Sequence, residues 1–436
     1  MNLSLTTARP IDGVLPSTLR SWDTTDEQEQ LTADRTVVEI HLDPSHRFQV
    51  IDGLAGSFSE LGALALESLP PAQRAEADAA LFGSDGCGLS WGRVPVGASD
   101  FATSAYSAAD TPDDWDLTAF STQRDDVCLR PWVRRSKAVA PHLRLHASPW
   151  SPPGWLKDNG RMDQGGSLRS DPRVLPTYAR YLARWCADWG AAGVPIQRLL
   201  LQNEPDSGAP FPSCVMPPEQ LGRLAIALDE LQPVGTETWA GTFRSMTCLW
   251  APRFFADPAF RAAVRGAGFQ YHQADHLNDF SRLHPTVPMM HTESACFDGS
   301  NTWAQAAMLF NDLVAVLHAG CGMYTYWNMV LDGTAKSTWG WKQNSLLTIR
   351  DGQVNRNPDA EVLRLVSPAL QPGGVRVESF AYARRTVAIQ AADGRIHVLV
   401  ANPERRVVPA VMHCAGATHR TELPPSSMCC LTLGNE

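Results

Sequence analysis

The sequence of 436 residues predicts an α/β protein, a (β/α)8 TIM barrel carrying a β-sandwich side domain built from both chain termini. Three observations lead to this. Apolar runs bounded by turn residues alternate with helical stretches eight times in the middle of the chain. After about Ala360 the helical stretches stop, and short strand-like runs follow one another across turns. A further strand-like run, RTVVEIHLD, stands before the first barrel strand and is expected to join that terminal sheet. The expected boundaries are 1–48 for the N-terminal part of the sandwich, 49–362 for the barrel and 363–436 for the C-terminal part.

The barrel strands are expected, in order, in RFQVIDGLAG, GLSWGRVPV, LRLHASPW, RLLLQNEP, TETWAGTF, FQYHQAD, VPMMHTES and GMYTYWNM. Helical periodicity appears between them in SELGALALESL, LRPWVRRSKAVA, TYARYLARWCADWGAAG, PEQLGRLAIALDELQ and TWAQAAMLFNDLVAVLHAG, several closed by Gly or Pro as helix ends usually are. Trp185 and Trp189 lie four apart on one of these helices and read as helix packing. Arg134, Arg135 and Lys137 read as a solvated helix face. Beyond the barrel come GVRVESF, RTVAIQAADGRIHVLVANP, VVPAVMHC and SMCCLTL, with Asp-Gly in AADGR suited to a tight hairpin turn. No internal repeat or low-complexity tract interrupts the pattern.

Composition narrows the function classes. The formal charge of -9 and pI of about 5.7 provide no broad basic field, which speaks against nucleic acid as a partner. No segment approaches the ~20 apolar residues that span a bilayer. The N-terminus lacks a basic head followed by an apolar run, so the expected location is cytoplasmic as written, or secreted if a leader has been removed. Ten cysteines without metal-type spacing read as mostly reduced thiols, with Cys429 and Cys430 on alternate faces of one strand.

In parallel barrels the C-terminal strand ends carry the chemistry. In LLLQNEPDSG the leucines of strand four run into Gln202, Asn203 and Glu204, and Pro205, lacking an N–H, stops the ladder there. Strand two ends near Arg93, followed by Asp100, and strand three ends at Trp150. Strand six is expected to deliver His272 and Gln273, strand seven Glu293, and strand eight Trp327 and Asn328. Two glutamates at the mouths of strands four and seven suit glycoside hydrolysis, with Trp150, Trp327 and Trp341 offering flat apolar faces to sugar C–H groups. Taken alone, Asn-Glu-Pro is as readily an exposed turn carboxylate; the second glutamate in strand order shifts the balance. A metal held by His272, His276 and His291 is the rival chemistry, but no set of standard ligand spacing completes it, so neither metal nor other cofactor is expected.

These motifs carry a resemblance. LLLQNEP and MMHTESACFDG, together with VIDGLAGSFSE, GLSWGRVPVGASDF, ADTPDDWDLTAFS, ASPWSPPGWLKDNG, WNMVLDG and WGWKQNS, resemble glycoside hydrolase family 30 of the clan A barrels, the group that includes glucosylceramidases and β-1,6-glucanases. The resemblance implies that Glu204 is the general acid/base and Glu293 the nucleophile. It implies that Asn203 holds the sugar 2-hydroxyl, that Asp100, Trp150, Trp327 and Asn344 bind the ring, and that Arg93 supports the nucleophile. One position departs: the family places a Tyr close behind the residue matched by His272, whereas this chain reads YHQADH. Tyr271 comes before the His, strand alternation does not require it to face the site, and Gln273 or His276 is expected to supply the contact.

The expected activity is a retaining β-glycosidase on a carbohydrate or glycoconjugate, either a β-glucoside of glucosylceramide type or a β-1,6-glucan, with Glu204 raised in pKa and Glu293 lower. The same chemistry on xylan, a β-galactoside or a β-fucoside is the nearer alternative. A carbohydrate-binding barrel without catalysis is the alternative of another class. The sequence is silent on oligomeric state.

Overall fold

The computed structural model describes residues 2–10, 13–16, 37–244, 249–271, 274–382 and 384–434. Eight parallel strands form the barrel: β1 (Gly53–Ser57), β2 (Trp91–Val96), β3 (Arg144–Pro149), β4 (Arg198–Leu200), β5 (Glu237–Phe243), β6 (Ala267–Gln270), β7 (Met289–Glu293) and β8 (Met323–Tyr326). Each of β1 to β7 pairs with its sequence neighbour, β8 pairs with β1, and a bridge from Met289 to Cys321 brings the last two strands together. All eight lie within or beside the apolar runs of the sequence. Their ends differ in three places that matter. Arg47–Val50 belongs to a long strand of the side sheet, so the barrel proper begins at Gly53. Strand β4 stops at Leu200, leaving Gln202–Pro205 in the bend beyond it. Strand β6 stops at Gln270, so Tyr271 already lies outside the ladder.

Inside the barrel, successive inward residues change from apolar to polar. Ala55, Trp91, Leu200, Trp239, Met290 and Met323 share one buried cluster. The Arg198 guanidinium stacks at the base of it, 4.5 Å from the Trp91 ring and 4.4 Å from that of Trp239. Two residues beyond Trp91, on the same side of β2, stands Arg93. The apolar cluster therefore forms a packed floor beneath a polar layer. Close packing also requires Gly56, where a Cβ would meet the Met329 side chain at 2.5 Å.

The helices enclose the strands with their apolar faces inward. Val174–Ala191 buries Trp185 and Trp189, whose ring centroids are 4.8 Å apart. Trp303–His318 begins in a capping box between Thr302 and Gln305. Of the basic run on Leu129–Val139, only Arg134 is exposed. Arg135 pairs with Glu67 at 2.8 Å and Asp78 at 3.1 Å, and Lys137 donates to the Leu143 carbonyl at 2.7 Å, so this face is tied to its neighbours rather than simply solvated.

The side domain is one continuous ladder of nine strands, mostly antiparallel, to which both chain ends contribute. Leu3–Arg9 lies against Ser427–Leu433, and Val38–Val50 lies between Val375–Ala381 and Val408–Cys414. Val38, Ile40, Val398, Val400, Met412 and Leu431 share one core although their strands are not all neighbours, so the sheet folds over itself to make the two layers of the sandwich. Cys429 and Cys430 are both buried there, on opposite faces of one strand. In the AADGR turn only Gly394 takes a positive φ, 88°.

Candidate active site

The polar layer above the floor gathers side chains from the ends of β2, β3, β4, β6 and β7. Arg93 is fully buried and donates to Oε2 of Glu293, to Oδ1 of Asn203 at 2.6 Å and to Oγ of Ser148 at 2.9 Å. Gln270 Nε2 lies 2.8 Å from both Asn203 Oδ1 and Glu293 Oε2. Oε2 of Glu293 thus has two nitrogen donors, one of them cationic, and a carboxylate so held stays in one orientation.

Glu204 arrives from the other side. Its backbone takes φ 43°, a left-handed conformation costing a residue with a side chain roughly 1–3 kcal/mol, and its N–H donates to Thr242 Oγ1 at 3.3 Å. The Tyr271 hydroxyl lies 2.5 Å from Oε1 of Glu204 and 3.1 Å from Oε1 of Glu293. Those two carboxylate oxygens are therefore no farther apart than about 5.6 Å, the sum of the two distances. Arg244 places Nη1 3.5 Å from Oε2 of Glu204 while its Nε donates to Asp206 at 2.8 Å.

Burial and the charge of Glu293 push the Glu204 carboxyl up from the ordinary glutamate range, against the opposing pull of Arg244 and the Tyr271 hydroxyl. Asp100 is buried, and desolvation together with the charges of Glu293 and Glu204 pushes its carboxyl well up. The Tyr271 phenol is pushed up by burial and by the same two glutamates, which keeps its proton in place.

Trp150 and Trp327 wall one side of this layer. Their rings stack with centroids 5.2 Å apart, and the Arg93 guanidinium lies 4.5 Å from the first and 5.5 Å from the second. The indole N–H of Trp327 has no hydrogen-bond partner among the described residues. Trp341 is half-buried and meets the Phe211 ring edge-on, centroids 4.9 Å apart.

Arg93, Asn203, Glu204, Glu293, Trp150 and Trp327 thus converge on one mouth, and Asp100 lies close enough to feel both glutamates. His272 and Gln273 fall outside the described residues. Asn344 is placed differently from the expectation: its amide oxygen accepts from the N–H groups of Gly299 and Asn301 at 3.0 and 3.2 Å, and Nδ2 lies 3.3 Å from Asp359 and from Gln305. Its polar atoms are committed to holding a loop, leaving none for a ring. Tyr271 is the clearer correction. Alternation fails because the residue follows the end of β6 with φ 60°, which turns its side chain into the mouth beside that of Gln270. The signal was present as the Gln-Tyr pair at the end of the apolar run.

A cleft of about 880 Å³ opens at the opposite end of the barrel, lined by the strand starts near Asp52, Arg198 and Glu237. Arg198 is paired there with Asp52 at 2.8 Å and Glu237 at 3.4 Å, and none of the converging carboxylates reaches it.

Residues 51–230 match the glycosyl hydrolase family 30 TIM-barrel domain. The barrel thus carries a family 30 domain over this span. It is 30% identical over 341 residues to "Putative glucosylceramidase 3" of Caenorhabditis elegans, an alignment spanning 72% of this chain and 65% of that protein. Among solved structures, SrfJ from Salmonella typhimurium superposes with a TM-score of 0.90 at 21% identity, covering all of both chains. The endo-β1,6-glucanase BT3312 superposes with a TM-score of 0.85 at 19% identity, covering 100% of this chain and 99% of that one. The chain therefore shares the whole two-part architecture of these structures, barrel and side sheet together.

Proposed function

We propose that this protein is a family 30 glycosidase that acts with retention on β-glucosides of the glucosylceramide or β-1,6-glucan type. The observation that carries the reading is the separation of the two glutamates, whose bridged oxygens are within about 5.6 Å. Double displacement uses carboxyls ~5–5.5 Å apart, whereas inversion needs ~6.5–9.5 Å to admit a water between them.

In this mechanism Glu204, whose carboxyl burial and the charge of Glu293 push up, gives its proton to the departing glycosidic oxygen. Oε1 of Glu293, the oxygen not engaged by Arg93 and Gln270, attacks the anomeric carbon and forms a glycosyl ester. Glu204, now a carboxylate, removes a proton from water, whose oxygen attacks the same carbon and releases Glu293. Asn203 is held by Arg93 and Gln270 through Oδ1, which leaves its amide nitrogen to donate to the 2-hydroxyl. The Trp327 indole N–H and the carboxyl of Asp100 are the further groups suited to sugar hydroxyls.

Proton NMR of the first product from an aryl β-glucoside tests the scheme. Early release of the β anomer is the expected result, and early release of the α anomer would exclude double displacement. A panel of glucosylceramide, β-1,6-glucan oligosaccharides, xylan, β-galactoside and β-fucoside then ranks substrates, with glucosides expected to lead.

A further inference from the structure

Glu39 and His41 stand two residues apart on the strand Val38–Val50, so their side chains leave the same face of the sheet. Parallel pairing with Val408–Cys414 sets His413 directly opposite His41. The two imidazoles stack, with centroids 4.7 Å apart and planes inclined by 19°. Nε2 of His41 lies 3.8 Å from Oε2 of Glu39, and both side chains are about half exposed. Nδ1 of His413 lies 3.2 Å from Oγ1 of Thr418 on the adjoining hairpin strand, a contact that orients the ring and leaves Nε2 as its available donor. One ligand atom from each of the three residues lies within 4.8 Å of the other two. Neighbouring Asp43 is already engaged by Ser45 at 2.9 Å and His46 at 3.1 Å.

We propose that Glu39, His41 and His413 form a zinc site on the outer face of the side domain, separate from the glycosidase site. Two imidazoles and one carboxylate suit a borderline divalent ion, whereas calcium and magnesium favour shells of oxygen. Bonds of ~2.0–2.2 Å require the three ligand atoms to close to ~3.3 Å of one another, a change that rotation of half-exposed side chains supplies. The ligands come from the first and last parts of the chain, so zinc would pin the N-terminal strand to the C-terminal one. An ion held only by the folded chain raises thermal stability.

The test uses the full chain, stripped with a chelator and titrated with zinc chloride in a calorimeter, with thermal unfolding followed in parallel. One zinc per chain, and a higher Tm in its presence, are expected. His41→Ala and His413→Ala should each lose this binding and the Tm response, and Glu39→Gln, which preserves shape, should weaken affinity about tenfold or more. Hydrolysis of an aryl β-glucoside should be the same in parent and variants, with or without zinc, showing that each variant is folded. No saturable zinc uptake by the parent would overturn the proposal, as would unchanged uptake in both histidine variants.

Discussion

The hydroxyl of Tyr271 touches Glu204 at 2.5 Å while also reaching Glu293 at 3.1 Å, so one phenol joins the two carboxyls proposed to share an anomeric carbon. A hydroxyl has a single proton to give. Given to the Glu204 carboxylate, that proton pulls the Glu204 pKa down; once Glu204 is itself protonated, the phenol proton is free for Glu293.

Replacing Tyr271 by Phe tests this bridge. The hydroxyl pulls the Glu204 pKa down, so its removal should move the alkaline limb of kcat/KM to higher pH. Loss of the contact to Glu293 should lower kcat by roughly 10²-fold. A variant with the parent pH profile and rate would remove Tyr271 from the site.

The glutamates themselves are expected to be indispensable. Glu204→Gln and Glu293→Gln should each reduce turnover of an aryl β-glucoside by about 10²–10⁴-fold or more with far-ultraviolet circular dichroism unchanged. Azide should restore rate to Glu204→Ala as a β-glycosyl azide and to Glu293→Gly as the α anomer. The opposite stereochemistry would exchange the two roles.

Arg244 offers a separate test of the acid/base. Its charge holds the Glu204 pKa lower than burial and Glu293 alone would set it. Arg244→Gln should therefore shift the alkaline limb upward and leave the acidic limb in place. Equal shifts of both limbs would count against an effect confined to Glu204.

Asp359 links stability to pH. Desolvation by burial pushes its carboxyl up to about 6 from 3.8, against hydrogen bonds from Tyr326 and Asn344. A carboxyl raised on folding contributes stability that is fully present below 3.8 and lost as pH rises through about 6. The loss amounts to at most about 3 kcal/mol. Asp359→Asn should remove this dependence, so that its stability relative to the parent improves between pH 4 and pH 7.5 in urea titrations. The buried His397, pushed down to about 4 by desolvation, acts in the opposite sense in both proteins and cancels in the comparison. A constant difference across that range would refute the linkage.

Much of this molecule was legible before any coordinates. Apolar runs separated by amphipathic helices give a parallel barrel because every strand buried on both faces must be continuous in hydrophobicity. Arg93, Trp150, Asn203, Glu204, Glu293 and Trp327 could be picked out because such a barrel exposes its chemistry at the C-terminal strand ends. Tyr271 and Gln270 were not, since a single left-handed residue after β6 breaks the two-residue alternation on which facing is judged. Asn344 was assigned to the ring only through the family resemblance, whereas the bonds from Gly299 and Asn301 commit it to a loop.

The sequence by itself determined the order of elements and which carboxylates stand at strand ends, because periodicity and turn chemistry are local. Tertiary structure alone decided that Glu204 and Glu293, the latter 23 residues from Gln270 and 200 from Arg93 along the chain, meet through one phenol. Distances across a closed barrel depend on how all eight strands tilt and where each one ends, and no single segment encodes that.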